Sequence, residues 1–98
     1  MDRKKYDEII SKCREISISK NKDYGDKPLE RFGTYGILVR LYDKLERAIN
    51  LIESNQEPNN EKLEDTFLDM TNYSIYALMF LYRKQAKKTE PENDKLTS

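Results

Sequence analysis

Apolar side chains recur every three to four residues over three stretches of the chain, and that period predicts three helices. In the first, Asp2 suits an N-cap, and Tyr6, Ile9, Ile10, Cys13 and Ile16 mark one face of a helix spanning about residues 2–18. Ser17 to Ser19 weaken the pattern. Residues 21–28 then read as a turn-rich loop, with Gly25 and Pro28 as breakers. Leu29 and Phe32 are placed to pin this loop, or a short helix within it, onto the core. A second helix is expected over residues 34–54. Its core stripe is Ile37, Leu38, Leu41, Leu45, Ala48, Ile49 and Ile52, with Arg40, Asp43, Arg47 and Asn50 on the other side. Residues 55–60, containing Pro58, form a polar connection in which Asn59 or Asn60 can cap the third helix.

The third helix, over residues 61–82, breaks the simple pattern. Asp65, Asp69, Asn72 and Tyr76 recur at i, i+4, i+7 and i+11 and so form one stripe. Leu63, Phe67, Met70, Leu78 and Leu81 form the opposite stripe, and residues 75–82 are apolar or aromatic on every side. A helix apolar all round is expected to be buried. Burying aspartates beside it is costly unless a cation or a hydrogen-bonding partner compensates. The conflict points to a metal or a polar ligand held between helices.

Three helices in about 80 residues give a thin core. The second half of helix three offers more apolar surface than two neighbours can cover, which predicts a homodimer or higher oligomer with that helix central. The fold class expected is all-α, a small antiparallel bundle completed by oligomerisation. Residues 1–83 make one domain, and residues 84–98, with nothing to bury, make a flexible charged tail.

Charge and composition narrow the chemistry. The net charge is zero, yet residues 32–82 carry eight acids against four bases. An acidic centre suits a divalent cation and disfavours direct docking of a nucleic-acid backbone, which needs clustered Lys and Arg. The absence of histidine removes Ser-His-Asp and Cys-His catalysis and histidine-ligated zinc or haem. The single Cys13 cannot form an internal disulfide and reads as a small core residue in a reducing compartment. With no apolar leader and no run of about 18 apolar residues, a soluble cytoplasmic protein away from membranes is expected.

Asp65 and Asp69, one turn apart, can converge on Mg²⁺ or Mn²⁺, hard cations that prefer oxygen ligands. Glu64 or Glu61 is near enough to add a ligand or a base. The alternative for these first-turn acids is a solvated face opposing the helix dipole. Asn72 could bind a water, a metal or a base edge, and Tyr73 adjoins the stripe. On helix two, Asp43 could face the stripe while Lys44 and Arg47 neutralise phosphate; otherwise Asp43 and Arg47 pair on an exposed face. The loop at residues 21–25 could act as a lid, with Lys20 and Lys22 meeting phosphate and Tyr24 stacking on a base, or be a plain Asx turn.

Three motifs in order complete the sequence reading: Lys22-Asp23-Tyr24-Gly25; Asp43-Lys44 with Arg47; and Leu63-Glu64-Asp65-Thr66 leading to Leu68-Asp69 and Asn72-Tyr73. Over roughly residues 15–82 the chain resembles the nucleotide modification associated domain 1 family of phages and bacteria. That resemblance implies a helical protein tied to nucleotide metabolism, in the host cytoplasm if phage-encoded. More distantly it looks like the MazG-like all-α NTP pyrophosphatases, which hold Mg²⁺ with an E-x-x-E group and an E-x-x-D group. Here Asp43 with Glu46 would stand for the first group and Asp65 with Asp69 for the second. This chain lacks the doubled glutamate and spaces the second pair by four. The implied activity is Mg²⁺-dependent hydrolysis of a nucleoside triphosphate to the monophosphate and pyrophosphate. The alternative is a non-catalytic nucleotide-binding module, sequestering a signalling nucleotide or serving a base-modifying enzyme.

Overall fold

A computed structural model describes residues 1–54 and 60–89, all of the regular structure being helical. Helix α1 spans Arg3–Tyr24, and Asp2 caps it by accepting a hydrogen bond from the Lys5 amide at 3.0 Å. It runs six residues beyond the expected end at residue 18. The serines do not break it, because Ser17 faces α3 and exchanges a hydrogen bond with the Tyr76 hydroxyl. The stop is Gly25, at φ 70° and ψ −167°, a conformation open almost only to glycine. The Gly25 amide donates to the Asn21 carbonyl at 2.7 Å. Residues 21–24 are therefore the last turn of a helix rather than a lid loop.

Helix α2, Lys27–Glu53, is bent at Gly33, whose φ of 58° and ψ of −153° interrupt the helical path. A short helical segment, 27–32, precedes the bend, and the long expected helix starts at residue 34. Phe32 is exposed rather than pinned to a core. Helix α3, Asn60–Thr89, continues past Arg83. The first part of the expected tail is thus helical, with exposed Lys84 and Lys87 favourably placed near the negative end of the dipole. The rest of that tail, the connection with Pro58 and the capping role for Asn59 or Asn60 lie outside the described residues.

Helix α3 is the middle element, and α1 and α2 both pack on it. Helix α2 runs antiparallel to α3: Glu30 meets Arg83 at 3.9 Å, and Lys44 meets Asp69 at 3.0 Å. Helix α1 runs in the same direction as α3, since Lys12 reaches Glu64, Cys13 meets Asn72 and Ser17 meets Tyr76. The all-α bundle expected from the periodicity is present. Its core is thin: among the described residues, Cys13, Ile37, Ala48 and Leu68 are the buried apolar side chains.

Several positions expected inside are outside. Leu38, Leu45, Ile49 and Ile52 of α2 are exposed, as are Tyr6, Ile9 and Ile10 of α1. On α3 the stripe expected to be apolar and inward is partly turned out, with Phe67, Leu78 and Leu81 exposed. Met79 and Tyr82 are exposed too, so residues 75–82 are not enclosed. Each helix has at most two neighbours, which cannot cover an apolar arc much wider than one stripe. The radius of gyration is 17.4 Å, against about 13 Å for a compact chain of this length. The polar stripe, by contrast, points inward from Asp69 onward, while Asp65 at its start is exposed. Thr66 and Asn72 are buried, and Asp69 and Tyr76 are half-buried. The Thr66 hydroxyl is satisfied by donating to the Lys62 carbonyl at 2.7 Å.

Candidate functional site

Asp69 is the pivot of the site. It sits at the third turn of α3, and its carboxylate is 18% exposed. One oxygen accepts from Lys20 of α1 at 3.1 Å and the other from Lys44 of α2 at 3.0 Å. One acid thus joins all three helices. Burial pushes the Asp69 carboxyl up, but hydrogen bonds from Lys44 and then Lys20, with their charges, outweigh it. The net result holds the group below the ordinary carboxylate value and keeps it ionised.

One turn further, Asn72 is buried and donates to the Cys13 carbonyl of α1 at 3.1 Å. Cys13 itself is fully buried, and burial pushes its thiol up, away from reactive thiolate. Beyond it, Tyr76 bonds Ser17 and meets Tyr73 edge to face, their ring centroids 6.3 Å apart. A cleft of about 920 Å³ opens beside these residues, between the C-terminal half of α1 and the middle of α3. Its cations are Lys20, Lys22 and Arg40, and its apolar wall includes Tyr24, Tyr73 and Met79.

The structure therefore gathers Lys22, Tyr24, Asp69, Asn72 and Tyr73 around one cleft, with Lys44 bonded to its central acid. Asp23 is exposed and does not line the cleft. Asp43, Glu46 and Arg47 are exposed on α2, and it is Lys44, not Asp43, that reaches Asp69. Asp65 is exposed, and Glu64 is exposed and paired with Lys12. Arg40 and Ser17 are in the site but were not signalled as such by sequence. Arg40 stands one turn before Lys44, and that spacing was the available hint.

Of the acids expected to hold a divalent ion, Asp69 is the one that lines the cleft. Among the described residues, no three Asp, Glu or Cys side chains lie together as ligands. Both Asp69 oxygens already face ammonium groups, which occupy the role a metal cation would play.

Together these features describe a small three-helix protein in which a lysine-clamped aspartate borders a cation-lined, tyrosine-walled cleft. The family model for nucleotide modification associated domain 1 matches residues 20–81, more than half of the chain, and the protein belongs to that family. That span holds most of the cleft. Neither the curated proteins nor the solved structures contain a match. No helix among the described residues is long and apolar enough to cross a membrane.

Proposed function

We propose that the chain binds a nucleotide in this cleft, with phosphate against Lys22, Arg40 and Lys20 and the base against Tyr73 or Tyr24. The observation that carries the reading is the pairing, in one cleft, of three cations with an aromatic wall. Its volume lies within the roughly 300–1,000 Å³ usual for small-ligand sites. Cationic side chains recognise phosphate through charge-assisted hydrogen bonds, and tyrosine offers a flat surface to a base. Membership of a family associated with nucleotide modification supports the same ligand class.

Binding without turnover is the form the side chains favour. Hydrolysis to monophosphate and pyrophosphate would require Mg²⁺ on Asp69, aided by Asp65, Glu64, Asp43 or Glu46. Asp69 is instead neutralised by two lysines, and the other four acids are exposed. Calorimetry with a panel of nucleoside mono-, di- and triphosphates, in EDTA and in Mg²⁺, tests both forms. We expect binding in EDTA that weakens about 10-fold or more in Lys22→Ala and Arg40→Ala, the loss of one charged hydrogen bond each. Pyrophosphate release in Mg²⁺ would establish the hydrolase instead. A panel in which no nucleotide binds would overturn the reading.

A further inference from the structure

Helix α2 carries two apolar faces and uses only one. Ile37, Leu41, Ala48 and Leu51 are buried or half-buried, the side of the helix that packs on α3. A quarter-turn away, Tyr35, Leu38, Tyr42, Leu45, Ile49 and Ile52 form a second row. Their exposure runs from 38% at Ile49 to 84% at Tyr35. The spacing along the row is three, four, three, four, three, the strict repeat of a coiled-coil seam. No charged side chain interrupts it. The row exposes on the order of 600 Å², most of the roughly 800 Å² each partner contributes to a standard interface.

We infer that this row is a homodimer seam, occupied by α2 of a second copy running antiparallel. The row is its own complement. A two-fold axis between residues 43 and 44 sets Tyr35 against the partner's Ile52, Leu38 against the partner's Ile49, and Tyr42 against the partner's Leu45. Every layer then joins alternate positions of the repeat, as an antiparallel pair requires, and both tyrosines meet aliphatic side chains. A parallel pair would stack each tyrosine on its own copy and bring Glu46 and Glu53 of both chains to one end. The antiparallel arrangement separates those acids and opposes the two helix dipoles. It also supplies cover for a chain whose described residues include four buried apolar side chains and whose radius of gyration is 17.4 Å. An isologous contact of this kind needs no second protein, because the same surface serves both sides.

Light scattering on the eluting full chain should give twice 11.7 kDa at about 100 µM, a concentration above the µM Kd of even weak interfaces this size. Leu45→Glu should elute as a helical monomer. Orientation is tested by disulfide trapping in an otherwise unchanged chain. Tagged Leu38→Cys mixed with untagged Ile49→Cys should form the mixed disulfide. Leu38→Cys alone should not, because its two copies would lie about 16 Å apart along an antiparallel seam, beyond disulfide reach. The unsubstituted chain, with Cys13 buried, is the blank. A monomeric wild type, a Leu45→Glu variant that remains dimeric, or self-linking of Leu38→Cys without the mixed product would each overturn the proposal. If Leu45→Glu loses its helicity, the trapping result alone decides.

Discussion

Asp69→Asn keeps the size of the side chain and removes its charge, so it isolates the electrostatic part of the three-helix junction. The Lys44 bond, at 3.0 Å between groups 29% and 18% exposed, belongs with charged hydrogen bonds worth about 1.5 kcal/mol or more. The Lys20 bond is similar in length, but its lysine is 54% exposed, and solvent screening reduces it to about 0.5 kcal/mol. An asparagine oxygen can still accept from one ammonium, so the substitution should cost about 1.5 kcal/mol in all. For a chain of this size that is a fall in melting temperature of about 6–12 °C. Circular dichroism melts at fixed protein concentration provide the measurement. Double-mutant cycles with Lys44→Met and Lys20→Met should give the larger coupling to Lys44. The pH dependence has a definite sign. The folded carboxyl titrates below the ordinary value of 3.8, so its contribution is complete above that value. It is lost as pH falls through the lower folded value, and the gap between wild type and Asp69→Asn should close there. Wild type and variant melting together at neutral pH, or a gap that widens in acid, would refute the account.

Two further substitutions probe neighbouring features. Asn72→Ala removes the buried bond to the Cys13 carbonyl and leaves a small cavity, and should cost about 2 kcal/mol in urea denaturation of the chain without nucleotide. Gly33→Ala should destabilise by about 1–3 kcal/mol, because the bend needs a conformation reserved for glycine, whereas the same change within a regular helix would stabilise.

The helices were legible because their apolar residues repeat at the helical period, and Asp2 announced the first turn of α1 as a capping residue should. The end of α1 was not, since Ser17 to Ser19 look like a fading pattern. Ser17 is in fact spent on Tyr76, a partner 59 positions away that no local period reveals. Asp69 stood out because a carboxylate beside an apolar run needs compensation. The pattern could not say whether that compensation would be a metal or the ammonium groups of Lys20 and Lys44. Asp65 shares the stripe yet is exposed: Asp69 is the first of the stripe to be half-buried, and the buried hydrogen bond to α1 comes only at Asn72. Leu38, Leu45, Ile49 and Ile52 of the outward row on α2 carry the core pattern in sequence for the same reason: periodicity shows which sides of a helix are apolar, not which of them a neighbour reaches.

Lys20 serves two masters. Its ammonium fastens α1 to α3 through Asp69, and the same group stands in the cleft where an anion would arrive. An ammonium has three donors, so an anion bound there as proposed would share Lys20 with a carboxylate already in place and strain one of the ties that hold the first helix, leaving the others at Cys13 and Ser17 untouched.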